Sequence, residues 1–480
     1  MSKAFKAQSG MALKRLSMAS VVLLSACSTL APTYQQPETA VTPNWPAGKA
    51  YAIDQPSGVA VSQITWKDLF KEDSIKQVIG MALQNNRDLK VSVLNVERAQ
   101  ALLGAQRAAY FPTISADGAG SRQKLPASVT NGRSTANTQY SGTVGLATYE
   151  LDFFGKVRSL NDAALNTYLS TEQAQHSFQL ALIADTAFAW YTLSADRARL
   201  ALAQDTLKNQ QTALDLIEKR FKLGVGTELD VNQARTTVES ARADVARYTR
   251  LAAQDLNALN LLTAQPVPEK WLPKGELDDS TAMIDLKAGL PSDVLLRRPD
   301  VKAAEYQLKA ANAKIGAARA AFFPSITLTG SYGSASNQLS NLFEAGTETW
   351  TFIPKISLPI FDGGRLQAYL DVSKIDQKIA VTNYQKAVET AFREVADALA
   401  AKGTLNTELQ AQQNLVDASA ASYKLSKARF EGGVDSYLQV LTAQQALYTA
   451  QQNLIATRLL KTSNLVTLYK VLGGSWGANS

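Results

Sequence analysis

The sequence predicts a mainly α protein with a transmembrane β part: a long coiled-coil barrel of helices joined to a few amphipathic strands. Three observations carry this. None of the 15 prolines falls between 127 and 265 or after 359, so two stretches of more than a hundred residues lack the strongest helix breaker. The chain is written twice, and each copy has two runs of period-2 alternation between its helices. With one Cys and one His, neither a disulfide scaffold nor a His-rich metal site can be built.

The N-terminus reads as a secretory signal over residues 1–26. Lys3, Lys6, Lys14 and Arg15 form a basic region, Leu16–Leu24 a short apolar one, and small residues follow at Ser25 and Ala26. Leu24-Ser25-Ala26-Cys27 resembles a bacterial lipoprotein box, which implies acylation at Cys27, the chain's only cysteine. Ser28, rather than Asp, follows it, and by resemblance to the sorting rule this implies the outer membrane. The formal charge of +7 overstates the mature protein: four of the 49 basic residues lie in the signal, leaving 45 against 42 acids. That balance excludes a nucleic-acid footprint, which needs Lys and Arg clustered on one face.

The duplication is explicit. Gly104–Pro112 (GAQRAAYFP) matches Gly316–Pro324 (GAARAAFFP) at seven of nine positions, an offset of 212 that also pairs Asp88 with Asp300 and Ile114 with Ile326. Arg220-Phe221 and Gly224-Val225 match Arg429-Phe430 and Gly433-Val434 at an offset of 209.

After a lipidated segment over 27–74, the first repeat covers 75–263: helix 75–109, strands 113–122 and 138–153 within a hairpin 113–153, helix 156–222, a turn at Gly224-Val225-Gly226, and helix 228–263. In the last of these Val238, Ala241, Val245, Tyr248 and Ala252 step by three and four, a coiled-coil seam broken by Asp255. A linker follows at 264–292. The second repeat covers 293–470: helix 293–322, strands 325–335 and 347–361 within a hairpin 325–361, helix 364–430, a turn at Gly432-Gly433, and helix 434–470. A tail occupies 471–480. Pro299 either opens the helix 293–322 in earnest or kinks it. Each long helix has 67 residues, about 100 Å at 1.5 Å per residue, and two short helices stacked end to end match that length.

In the last strand Trp350, Phe352, Ile356, Leu358 and Ile360 lie on one face, against Thr351, Lys355 and Ser357 on the other. Two readings fit: a transmembrane barrel, or a soluble hairpin packed on the helices. Four strands cannot close an open-lumen barrel, so spanning a membrane requires protomers to share one. The strand count alone admits two, three or four copies.

Glu150–Arg158 (ELDFFGKVR), Leu296–Val301 (LRRPDV) and the paired Phe-Pro sites resemble the outer membrane factor (TolC-like) family, in its OprM-like lipoprotein branch. The resemblance covers nearly the whole chain from Cys27. It implies a homotrimer with a shared 12-stranded β-barrel, a periplasmic tunnel of twelve helical rods, and a belt built from the residues after Cys27, 264–292 and the tail. It also implies export of drugs or other small molecules, with an inner-membrane pump of the resistance–nodulation–division type and a periplasmic membrane-fusion adaptor. No cofactor is expected beyond the covalent lipid on Cys27.

Gly224, Gly226, Gly432 and Gly433 mark the far ends of the two helical hairpins, because glycine tolerates the positive φ of a helix turn. In the family such tips meet the adaptor, which carries over to Leu223, Gly224, Val225 and Gly226 and to Gly433, Val434 and Asp435. Just beyond, the family closes its tunnel with charged residues at positions matching Gln439, Thr442 and Gln445. Here those positions are uncharged, and Asp435 is the nearest acid, so closure is expected to rest on bulk and hydrogen bonds.

Enzyme readings fail on motif. The chain has no GxxxxGK[ST] or HExxH, its lone His176 lies mid-helix, and Gly224 and Gly226 lack the preceding strand of a dinucleotide loop. The remaining rival is a periplasmic helical lipoprotein, an adaptor or spacer that does not cross the outer membrane. Two hairpins and two amphipathic strand pairs favour the duct over it.

Overall fold

A computed structural model describes residues 29–38, 41–51, 61, 64–126, 128, 135–275 and 292–474. Along the chain come α1 (Trp66–Leu69), α2 (Asp73–Asn85), α3 (Arg87–Arg107), β1 (Ile114–Leu125), β2 (Thr135–Leu151), α4 (Lys156–Lys222) and α5 (Glu228–Thr263). The second repeat supplies α6 (Pro299–Ala320), β3 (Ser325–Ser336), β4 (Glu348–Ser357), α7 (Arg365–Glu431) and α8 (Tyr437–Val471). Both long helices have 67 residues and begin and end 209 positions apart.

Several boundaries differ from the sequence expectation, each for a local reason. The helix expected over 75–109 is two helices, because Asn86 leaves helical geometry at ψ 130°. Its Oδ1 accepts the Leu89 N–H at 2.9 Å and its Nδ2 donates to the Leu262 carbonyl at 2.9 Å, so the asparagine caps α3 while fastening it to the end of α5. The helix expected from 293 starts at Pro299, after a 3₁₀ turn over Ser292–Arg297. Proline serves there as the first helical residue, where no N–H is needed. β4 stops at Ser357, short of Pro359, and Pro354 is accommodated within it because β4 is an edge strand. α8 starts at Tyr437 rather than 434, since the tip turn extends through Ser436.

The chain forms two compact units. One gathers residues 29–38, 96–171 and 304–384. Its sheet runs β1-β2-β3-β4, antiparallel throughout. The register sets Ala116, Val144, Tyr332 and Trp350 in one rung, and Asp117, Thr143, Gly333 and Thr349 in the next. Successive rungs point to opposite faces, so one face is apolar and the other is hydroxyl-rich. Ser331 and Thr351 share a hydrogen bond of 2.8 Å on the polar face. On the apolar face Trp350 is 73% exposed and Phe352 61% exposed. That is the reverse of a sheet packed on its own core: among the described residues Leu342 and Phe343 reach this face beside Gly142, and Trp350 and Phe352 stay bare, against the soluble-hairpin reading. Among the described residues no helix is long and apolar enough to cross a membrane.

Residues 29–38 form a strap in this unit. Thr29 shares a 2.8 Å hydrogen bond with Ser159, Arg319 Nη1 donates to the Leu30 carbonyl at 3.0 Å, and Asn312 Nδ2 to the Pro32 carbonyl at 2.7 Å. Asp152 and Asp362 repeat one device at the starts of the long helices: each carboxylate accepts two backbone N–H groups, Val157 and Arg158 in one case, Gly364 and Leu366 in the other.

The other unit gathers the described residues of 41–95, 172–303 and 385–474. Arg298 ties it together. Only 8% exposed, its guanidinium bonds to Asp300 (2.7 Å), Glu394 (2.8 Å) and the Val471 carbonyl (3.0 Å), joining α6, α7 and the end of α8. Segment 264–275 packs on α4: Trp190 Nε1 donates to the Trp271 carbonyl at 3.0 Å and Arg197 Nη1 to the Pro273 carbonyl at 2.8 Å. In the seam of α5 Val238, Ala241 and Tyr248 are buried. Where it breaks, Asp255 lies against buried Asp196, whose Oδ1 is held by Arg199 at 2.7 Å.

Candidate functional site: the two helical tips

Both hairpin tips are built by one rule. Gly224 at φ 77° and Gly433 at φ 74° end their long helices. Gly224 N–H donates to the Phe221 carbonyl and Val225 N–H to the Arg220 carbonyl, at 2.9 and 3.0 Å. Gly433 and Val434 donate identically to Phe430 and Arg429, both at 2.9 Å. These paired bonds satisfy the carbonyls that a helix end leaves free. Gly226 and Gly432 do not have positive φ, so only two of the four tip glycines are required by backbone geometry.

Below the turns the four helices share one apolar cluster. Leu214 and Ile217 from α4 meet Val231, Ala234 and Val238 from α5, Phe430 from α7, and Tyr437 and Val440 from α8. The cluster holds the tips as one body and leaves their ends uncovered: Leu223 is 79% exposed, with Val225 and Val434 exposed as well.

The two tips differ in charge. At the second, Arg429 Nε stands 2.6 Å from Asp435 Oδ2 and Nη2 stands 3.0 Å from Oδ1, a bidentate pair bridging the turn. The Arg429 guanidinium holds the Asp435 carboxyl below the usual carboxylate range. At the first tip, Gly226 stands where Asp435 does, and Arg220 lies over the Phe430 ring at 4.9 Å instead. Thr227 and Asp230 close the first tip with reciprocal side-chain bonds at the start of α5. The spacing of Arg429 and Asp435 across a glycine turn is the sequence signal that could have found this clasp.

Gln439, Thr442 and Gln445 are all exposed on successive turns of α8. Thr442 Oγ1 donates to the Leu438 carbonyl at 2.9 Å, within its own helix. Within one chain these three side chains are not brought against the facing helices; they present an uncharged stripe. Cys27 lies outside the described residues. Among those described, no cluster of His, Cys, Asp and Glu could hold a metal ion.

The comparisons with known proteins decide the family. The outer membrane efflux protein model matches residues 78–265 and 290–474, which follow the two repeats. The chain belongs to the outer membrane efflux protein family. It is 48% identical over 455 residues to the probable efflux pump outer membrane protein TtgC of Pseudomonas putida KT2440, covering 95% of this chain and 94% of that one. To OprJ of Pseudomonas aeruginosa it is 40% identical over 454 residues, 94% of each. The open state of the Neisseria gonorrhoeae MtrE outer membrane channel superposes with a TM-score of 0.84 at 36% identity, covering 94% of this chain and 99% of that one. This member is accordingly an outer-membrane efflux channel, and its fold is that of the family's channels.

Proposed function

We propose that this efflux channel is the exit duct of a tripartite multidrug system. Three copies share one 12-stranded barrel, a periplasmic membrane-fusion adaptor seats on the tips, and an inner-membrane pump of the resistance–nodulation–division type drives the cargo. The observation that carries the reading is the sheet: four strands with two free edges, an exposed apolar face and a polar face. A sheet of that kind is stable in lipid only when its edges are closed by other copies.

In this reading Leu223, Gly224, Val225 and Gly226, with Gly433, Val434 and Asp435, are the adaptor's contacts. Gln439, Thr442 and Gln445 ring the periplasmic end as an uncharged constriction, and Cys27 carries the lipid that holds the strap at the membrane. The duct is passive, and cargo choice lies with the pump. Relatives named for antibiotic efflux and for toluene efflux each share 48% identity with this chain, which favours apolar antibiotics and solvents as cargo.

Two measurements test it. Unboiled protein extracted from outer membrane should migrate as a trimer and collapse on boiling to a monomer smaller than the 51.7 kDa full chain by the signal over 1–26. A deletion strain should become sensitive to a panel of apolar compounds. A boiling-insensitive monomer that is soluble once Cys27 is replaced would sink the duct.

A further inference from the structure

Both long helices open with a cation where a strand turns into them, and the duplication shows that only one of the two is neutralised. At the constant offset of 209, Lys156 at the start of α4 corresponds to Arg365 at the start of α7, and Gly155 (φ 70°) to Gly364 (φ 87°). The Lys156 ammonium donates to both oxygens of Glu150, at 3.1 and 3.0 Å. Pro359 occupies the position equivalent to Glu150, so the second copy has no acid there. Arg365 Nη2 stands 4.0 Å from Asp362, whose oxygens already accept the Gly364 and Leu366 N–H groups at 3.0 and 2.9 Å. The Arg365 side chain is 60% exposed.

This loosely held guanidinium lines a cavity of about 360 Å³. The turns into α4 and α7 and the turn from α6 into β3 enclose it, all from one chain and one compact unit. Its apolar wall holds Phe154 and Phe323, stacked with ring centroids 4.7 Å apart, and Phe323 stays 42% exposed. The turn itself does not require the aromatic pair, because Gly363 stands at the position equivalent to Phe154. Glu150, Ser325 and Ser357 place the mouth on the polar face of the sheet: Glu150 shares a rung with Thr327 and Lys355, and Ser325 shares one with Ser357. Lys355 is exposed on that face two residues from Ser357, about 7 Å along the strand. Glu150 and Asp152 are paired with Lys156 and Arg158, so the surplus charge around the mouth is positive.

We propose that this cavity is a station for aromatic carboxylates passing through the duct. The carboxylate pairs with Arg365 and the ring extends the Phe154–Phe323 stack. A guanidinium takes a carboxylate through two parallel N–H···O bonds, which an ammonium already committed to Glu150 does not offer. An added ring meets the stack in the offset or edge geometry that aromatic pairs favour. The volume lies at the small end of ligand cavities, which suits one ring or two fused rings. The role in transit rests on the shared-barrel reading, whereas the cavity itself needs only one chain.

Equilibrium dialysis of the purified full-length protein in detergent against 2-naphthoate tests the site. One saturable site per chain is expected. Arg365→Gln should raise the dissociation constant about tenfold, the loss of one charge-assisted pair, and Arg365→Lys should fall between. Phe323→Leu should weaken binding severalfold, and 2-naphthalenemethanol, the uncharged analogue, should not bind saturably. Heat-modifiable migration of each variant checks that it has assembled. In planar bilayers 2-naphthoate should lower the parent conductance saturably, and Arg365→Gln should shift that effect with the binding. Unaltered binding in Arg365→Gln, or equal binding of the alcohol, overturns the site and leaves the duct standing. Arg365-dependent binding with no effect on the current of a conducting channel overturns the place of the site on the duct wall. Arg365-dependent binding by a protein that neither conducts nor forms a trimer keeps the site and overturns the duct.

Discussion

Arg429 and Asp435 clasp the second helical tip across its glycine turn, at 2.6 and 3.0 Å, whereas Gly226 at the first tip offers no side chain to Arg220. The pair is open to solvent, with the Arg429 side chain 57% and the Asp435 side chain 25% exposed, so it contributes order at the tip rather than stability to the fold. Asp435→Gly, which copies the first tip, should leave the unfolding midpoint unmoved. It should raise the dissociation rate of the adaptor severalfold in surface plasmon resonance, because a frayed turn must be ordered again on binding. Since Arg429 holds the Asp435 carboxyl below its usual range, the clasp persists across neutral pH and is lost only on strong acidification. Unchanged kinetics would remove Asp435 from the contact surface.

Arg298 is a polar side chain whose loss should be costly. Truncation strands Glu394, Asp300 and the Val471 carbonyl beside a buried void. Because the Asp300 and Glu394 carboxylates are more than a third exposed, water screens part of the loss, and the cost stays below the about 3–5 kcal/mol of a fully buried pair. Arg298→Ala should therefore lower the denaturation midpoint of the trimer sharply and expose the end of α8 to protease. Arg298→Lys, which keeps the charge and loses the fork, should fall between the two. A parent-like midpoint for the alanine variant would contradict the joint described here.

Asp255 should make stability depend on pH. Burial first, then the neighbouring Asp196 carboxylate, push its carboxyl up to about 6, with Arg199 opposing. A carboxyl whose folded value is raised adds stability that is full below its unfolded value near 4 and is lost as pH rises through about 6. Thermal midpoints should thus fall between pH 4.5 and 7.5 by an amount that Asp255→Asn abolishes. Discounted for partial exposure, the effect is about 1–2 kcal/mol. A slope identical in parent and variant would assign the pH dependence elsewhere.

What the sequence made legible follows from what repeats. A nine-residue match fixed the duplication, absent prolines marked the long helices, and glycines at 224 and 433 marked the turns, because each is a backbone requirement visible at one position. Strand faces were legible from period-2 alternation. The break at Asn86 was not, because the apolar spacing continues through it and only the tertiary bond to Leu262 selects the cap. Arg298 was legible only as part of the LRRPDV motif, since its burial depends on Glu394 and Val471 from distant segments. Asp255 lay between these cases: the seam marked it as anomalous, but its partner Asp196 sits 59 positions away on another helix.

The two faces of the sheet should respond oppositely to charge. An arginine facing lipid near mid-bilayer costs about 2–4 kcal/mol, and one facing a water-filled lumen costs little. Tyr332→Arg, on the rung with Val144 and Trp350, should therefore depress outer-membrane assembly and the yield of heat-modifiable trimer. Thr351→Arg, on the polar face beside Ser331, should assemble normally and shift single-channel conductance instead. Reversed outcomes would exchange the lumen and lipid faces.

The uncharged stripe at Gln439, Thr442 and Gln445 predicts how the channel meets multivalent cations. A ring of carboxylates concentrates cations and is blocked by them; amides and a hydroxyl already bonded to Leu438 do not. The nearest acid, Asp435, is engaged by Arg429. In planar bilayers, di- and trivalent cations added on the periplasmic side should leave conductance nearly unchanged. Installing Gln439→Asp should create block at low cation concentration, and a neighbouring Thr442→Asp should deepen it. Asp435→Asn should change nothing, because its charge is already neutralised. Strong block of the parent channel that survives Asp435→Asn would mean that another acid lines the constriction, and the closure assigned to bulk and hydrogen bonds would be wrong.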